Sequence, residues 1–121
     1  MGELILIVED YEDTRFLMKF LLETYGYRVS EAGDGQQAVD SFKNEHPDLI
    51  LMDISMPVLD GLAATRKIRQ LNPLEKIPII AVTAHGDIYY DRALEAGCDD
   101  LISKPLDYDK LESVLQQHLH H

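Results

Sequence analysis

Four short, continuously apolar runs, each closed by a residue able to handle phosphate or a cation, constrain this chain more than any other feature. Leu4–Val8 runs into Glu9–Asp10, Leu49–Met52 into Asp53, Ile79–Val82 into Thr83, and Leu101–Ser103 into Lys104–Pro105. Short apolar stretches without polar alternation read as strands covered on both faces, the pattern of a parallel sheet. Helix-like segments separate them. The first spans about Asp13–Tyr25, with Leu17, Met18, Leu21, Leu22 and Tyr25 on one face and Gly26 as its stop. The second follows Asp34–Gly35, uses Ala38, Val39 and Phe42, and ends at His46–Pro47. The third runs through Leu62, Ile68 and Leu71 and stops before Asn72–Pro73, and Gly97 closes a fourth over Ile88–Ala96. Asp107 caps a last helix carrying Leu111, Val114, Leu115 and Leu119. A more polar strand, Tyr27–Glu31, belongs at a sheet edge. Strand and helix therefore alternate five times, which predicts an α/β, doubly wound (βα)5 sandwich with right-handed crossovers. One domain over residues 1–121 accounts for every segment.

Bulk properties narrow the functional classes. A net charge of −11 leaves no basic patch to neutralise phosphates, which argues against nucleic acid as a partner. The single cysteine, Cys98, forms no internal disulfide, and no signal-like segment opens the chain, so a reducing cytoplasmic setting is expected. Met1–Gly2 is followed by Leu6 where a myristoylation motif needs Ser or Thr. Apolar runs of about five residues fall far short of the ~20 needed to cross a membrane. The terminal His118, His120 and His121 are given no metal role.

In open α/β sheets, ligands bind beyond the carboxyl ends of the strands. Glu9, Asp10, Asp53, Thr83 and Lys104 then meet in one crevice although the sequence spreads them widely. Singly each has a plain explanation: Asp10 as a helix cap, Thr83 packing on its methyl, Lys104 as a surface lysine. Three carboxylates on neighbouring strand ends cannot all be caps. Their charges repel one another unless a hard cation, Mg2+ or Mn2+, relieves the repulsion. Lys104 adds a point charge and Thr83 a hydroxyl donor, enough to surround a phosphoryl group and neutralise its equatorial oxygens. Asp53 is then the in-line nucleophile, forming an acyl phosphate. Lys104–Pro105 permits a cis peptide bond, and Gly61 after Asp60 suits a tight turn into the next helix.

These motifs, taken as a set, resemble the response-regulator receiver domain of two-component signalling, in the CheY-like superfamily. They are Val8-Glu9-Asp10, Asp53-Ile54-Ser55-Met56-Pro57-Val58-Leu59-Asp60-Gly61, Val82-Thr83-Ala84, Gly97-Cys98-Asp99-Asp100 and Lys104-Pro105, and the likeness covers nearly the whole chain. The resemblance implies a flavodoxin-like strand order 2-1-3-4-5. It also implies that Asp53 accepts a phosphoryl group from a phosphohistidine of a sensor histidine kinase or histidine phosphotransfer protein. Asp10, Asp53 and the backbone carbonyl of Ser55 would ligate Mg2+, with Glu9 acting mainly through water. Thr83 and Lys104 would contact the phosphoryl oxygens, and small Ala84 would leave its backbone N–H free to do so. Ser55 and His85 occupy positions where the family tunes access of hydrolytic water. Such a domain catalyses only its own phosphorylation and dephosphorylation. It signals to a downstream effector protein through altered contacts, as a monomer or a weak phosphorylation-dependent dimer.

Two departures stand out. Many receivers carry Tyr or Phe three residues before the lysine, paired with the threonine as a switch; here that position is Leu101, with Tyr89 and Tyr90 as possible substitutes. In the first helix Phe16 and Phe20, spaced i,i+4, widen the apolar stripe beyond one covered face. With Tyr11, Thr14 and Pro105 they form the expected partner-docking surface, an idea that fails if both rings are buried. The alternative, an aspartate-nucleophile phosphatase of related fold, needs a second Asp as general acid where this chain has Ser55. A small flavin carrier would want a hydroxyl- and glycine-rich loop where Glu9–Asp10 would instead repel its phosphate.

Overall fold

A computed structural model describes residues 2–54 and 60–119. Five strands, β1 (Leu4–Val8), β2 (Arg28–Ala32), β3 (Leu49–Asp53), β4 (Ile79–Thr83) and β5 (Asp100–Ser103), alternate with five helices. These are α1 (Glu12–Thr24), α2 (Gly35–Glu45), α3 (Gly61–Leu71), α4 (Gly86–Ala96) and α5 (Tyr108–Leu119). The strands form one parallel sheet in the order β2-β1-β3-β4-β5, the order the family resemblance implies. The polar β2 lies at an edge, as its composition predicts.

Alternate side chains divide each apolar run between two cores. Leu6, Val8, Ile50, Met52, Ile79 and Ala81 pack with Ala38, Val39 and Phe42 of α2, Ala64 and Ile68 of α3, and Ala93 of α4. Ile5, Ile7, Leu49, Leu51, Ile80, Val82 and Ile102 pack with Met18 and Leu22 of α1 and Leu111, Val114 and Leu115 of α5. Nearly all of these are fully buried. The continuous apolar runs follow directly, since every residue of the three inner strands except Leu4 is buried.

Helix ends match their sequence signals. Gly26 (φ 94°) follows α1, Gly97 (φ 114°) closes α4 in the left-handed region, and His46 takes φ 51° ahead of Pro47. The Lys104–Pro105 peptide bond is cis. Cys98 is buried, and burial pushes its thiol pKa up, so it serves as a small apolar residue beside Thr65.

Two expectations need correction. Leu17 is 58 % exposed rather than part of the buried stripe of α1. Met18 and Leu22 set the buried direction, and a residue 100° away on a 3.6-residue helix faces outward. Gly61, expected to suit a tight turn, is the first residue of α3 after the Asp60 cap and needs no turn conformation, since among the described glycines only Gly26 and Gly97 have positive φ. It is glycine because a Cβ there would overlap the carbonyl oxygen of Asp53 and lie 2.6 Å from Ile54 Cα. Arg69 carries no sequence signal of its role. Its guanidinium donates to the carbonyls of Gly97 (3.0 and 2.8 Å) and Ile77 (2.7 Å) and pairs with Asp99 (2.9 Å), tying α3 to the ends of α4 and β4.

Candidate functional site

The register brings the strand ends together. Val8 pairs with Met52, Asp53 with Val82 and Thr83 with Ser103, so Glu9, Asp53, Thr83 and Lys104 lie side by side along one rim of the sheet. From β1 the chain winds out to β2, then returns across β1 to β3. The winding direction therefore reverses between β1 and β3, and a crevice opens there. Glu9, Asp10 and Asp53 border it, with one carboxylate oxygen of each within 4.8 Å of the others.

Burial separates the three acids. Glu9 and Asp53 are 1 % and 3 % exposed, whereas Asp10 is open to solvent. Both Glu9 oxygens are engaged: Oε1 accepts from Lys104 Nζ at 2.9 Å and Oε2 from the backbone N–H of Tyr11 at 3.0 Å. Lys104 Nζ lies 3.4 Å from Asp53 Oδ2. Asp10 has no hydrogen bond or ion pair among the described residues, so its carboxylate is available to a ligand. Burial alone would lower the Lys104 pKa, but the Glu9 hydrogen bond and the charges of Asp53 and Glu9 overcome it and hold the ammonium above its usual range.

Charge counting tests the fit to a cation. Three carboxylates less one ammonium leave a deficit of about two charges in the crevice, the charge of one divalent ion. All-oxygen ligands, one of them free and solvent-facing, suit Mg2+ or Mn2+, which keep most of their waters and use one or two carboxylates. The residues present therefore fit the group that the sequence implies.

Thr83 is fully buried, and its Oγ1 accepts from the backbone N–H of His85 at 3.1 Å. The Lys104 N–H donates to the Thr83 carbonyl at 2.8 Å, which joins the two strand ends across β4 and β5. Ala84 and His85 are exposed at the rim. Ser55 lies outside the described residues. Leu101 is half-buried and packs, like Tyr89, on the core beneath α2, α3 and α4; Tyr90 is 48 % exposed.

The aromatic pair of α1 points away from the core. Phe16 and Phe20 are 67 % and 62 % exposed, and Tyr11 is 62 % exposed. Beside them a groove of about 550 Å³ runs from Lys104 and Ala84 past Pro105 and Leu106 to Leu17 and Leu21. Leu17, displaced from the core, is one wall of it.

Comparison with known proteins agrees with this geometry. The family described as the response regulator receiver domain matches residues 5–116. The polar-differentiation response regulator DivK of Brucella ovis is 37 % identical, with 98 % of each chain covered. Hybrid signal transduction histidine kinase M of Dictyostelium discoideum is 41 % identical over 93 % of this chain, which spans 5 % of that protein. The receiver domain of sensor histidine kinase PA1611 from Pseudomonas aeruginosa PAO1, solved with a magnesium ion coordinated in its active-site cleft, superimposes with a TM-score of 0.92. It is 38 % identical, with both chains fully covered. Among the described residues no helix is long and apolar enough to cross a membrane.

Proposed function

The chain belongs to the response regulator receiver domain family of two-component signalling, and on that premise we propose that it is a phosphoacceptor switch with Asp53 as the accepting residue. The observation that carries this reading is the meeting of Glu9, Asp10 and Asp53 with Lys104 at the sheet rim. Asp53 attacks the phosphorus of a phosphohistidine on a sensor kinase or phosphotransfer protein. The P–N bond breaks as the O–P bond forms, and the departing imidazole takes a proton from solvent. Lys104 and Thr83 meet the phosphoryl oxygens, where transition-state charge collects. Asp10 and Asp53, with the Ser55 carbonyl that the family resemblance adds, would hold Mg2+, and Glu9 would act on it mainly through water. When bound, the ion neutralises phosphoryl charge that the carboxylates would otherwise repel. Thr83 and Leu101 are the switch positions, and the family resemblance assigns Ala84, His85 and Ser55 the tuning of hydrolytic water.

Incubation with acetyl phosphate and Mg2+ should give a base-labile mass gain of one phosphoryl group, absent in Asp53→Asn. No gain, or a gain that persists in that variant, would overturn the assignment. Continuous release of phosphate from simple monoesters would point to the phosphatase instead.

The donor protein docks on Tyr11, Thr14, Phe16, Phe20 and Pro105, beside the groove that leads to Lys104. Phe16 and Phe20 are exposed aromatic side chains, the kind that dominates interface energetics once buried against a partner. Phe16→Ala with Phe20→Ala should slow transfer from a phosphohistidine protein by roughly tenfold or more while leaving acetyl phosphate labelling unchanged. Equal slowing with both donors would show that the rings serve the site rather than docking.

A further inference from the structure

A cation that the proposed mechanism does not use reaches the metal-binding loop from behind. Arg15 sits in the first turn of α1, its own N–H bonded to the Tyr11 carbonyl at 3.0 Å. Its Nη1 donates to the backbone carbonyl of Glu9 at 2.8 Å, and its Nε faces Glu31 Oε1 on β2 at 3.3 Å. Glu31 also meets Lys19 Nζ at 3.4 Å, and Gly33 and Gln37 wall the other side of the guanidinium.

That carbonyl belongs to the peptide linking Glu9 to Asp10. Peptide planarity ties its orientation to the direction in which the chain leaves Glu9, and so to where Asp10 carries its carboxylate. On the far side of the same turn, the Tyr11 N–H is held by Glu9 Oε2. The loop is therefore gripped at two points, and the Asp10 carboxylate, in reach of those of Glu9 and Asp53, has no hydrogen bond among the described residues. Resting on the phosphoacceptor reading above, we infer that Arg15 is a positioning residue for the divalent cation. It clamps the Glu9–Asp10 peptide to α1 and β2 so that the Asp10 carboxylate is presented ready-placed. Groups one bond removed from metal ligands commonly govern affinity in this way, with losses of about 10- to 100-fold on removal.

Charge and position make opposite predictions here, which makes the idea testable. Arg15 is positive, so a purely electrostatic role repels the cation, and deleting the charge should tighten Mg2+ binding. A clamp predicts weaker binding despite the lost repulsion. Lysine retains the charge but lacks the planar fork that reaches two acceptors at once. Lys19 shares Glu31 with Arg15 but makes no bond to Glu9, so Lys19→Ala controls for charge.

The experiment is calorimetric titration of Mg2+ into metal-free wild type, Arg15→Ala, Arg15→Lys and Lys19→Ala, with urea unfolding in chelator run in parallel. Expected is Mg2+ binding roughly tenfold weaker in both Arg15 variants, and unchanged or slightly tighter in Lys19→Ala. If Arg15→Ala fails to fold, Arg15→Lys decides alone. Arg15 variants that bind Mg2+ as tightly as wild type, or Arg15→Ala tracking Lys19→Ala, would overturn the clamp and leave the phosphoacceptor reading intact. Wild type that does not bind Mg2+ at millimolar concentration would sink both.

Discussion

Lys104→Ala is expected to slow phosphorylation of Asp53 by acetyl phosphate about 10²- to 10³-fold, the usual cost of removing one positioned donor to a developing negative charge. The same substitution should bind Mg2+ more tightly. Lys104 Nζ occupies Glu9 Oε1 at 2.9 Å and faces Asp53 at 3.4 Å, so its removal leaves three carboxylates without their ammonium. Glu9 and Asp53 are almost fully buried and cannot turn to water for compensation. In chelator the variant should therefore lose on the order of 2 kcal/mol of stability, less than a fully buried pair because the Lys104 side chain is 28 % exposed. Saturating Mg2+ should restore more stability to the variant than it adds to wild type, by mass action on the folded state. The pH dependence has a definite sign. The folded-state pKa of Lys104 lies above its ordinary 10.5, so its stabilising contribution is complete below 10.5 and fades as pH rises through the higher folded value. Lys104→Ala should lack that alkaline loss. Urea unfolding across pH, with and without Mg2+, together with phosphorylation rates, checks each of these effects. A variant that is slow yet neither destabilised in chelator nor tighter for Mg2+ would mean that Lys104 does not neutralise the acids at rest.

The strand ends could be read from the chain because each apolar run stops at the rim of the sheet, where polar and charged side chains follow it. Glu9, Asp10, Asp53, Thr83 and Lys104 all announce themselves in this way, and parallel pairing brings them together. Arg15 and Arg69 do not. Both act on backbone carbonyls, of Glu9 in one case and of Gly97 and Ile77 in the other, and a carbonyl leaves no mark in the sequence. Leu17 misled for a different reason. Hydrophobicity alone cannot distinguish a residue facing the core from one lining a groove, and α1 has more apolar residues than one buried face can take.

Gly61→Ala offers the second large effect, and it tests whether the third helix is seated against the backbone of Asp53. In a helix interior alanine is the better helix former by about 1 kcal/mol, and at Gly61, the first residue of α3, part of that gain applies, so propensity alone favours the change. Packing opposes it. The added methyl would overlap the Asp53 carbonyl oxygen and approach Ile54 Cα to 2.6 Å, and these are backbone atoms that cannot rotate aside. They are also held from the other side, because the Ile54 N–H donates to Val82 at 3.2 Å and Asp53 is paired with β4. Either α3 lifts, loosening Ala64 and Ile68 from the core, or the end of β3 yields and carries Asp53 away from Lys104. The first route costs about 1–3 kcal/mol of stability, as for other overpacked sites. The second costs reactivity, since displacement of a reacting group by about 1 Å can slow a reaction roughly 100-fold. Gly86→Ala is the matched control. Its methyl would meet Ser103 Oγ and approach Leu101 Cδ2 to 3.1 Å, both ends of side chains able to move, so it should cost under about 1 kcal/mol and leave Asp53 phosphorylation within about twofold of wild type. Urea unfolding and acetyl phosphate labelling of the two variants, side by side, separate the cases. Gly61→Ala indistinguishable from Gly86→Ala in both measurements would mean that α3 does not press on the Asp53 backbone, and that glycine at this position needs another cause.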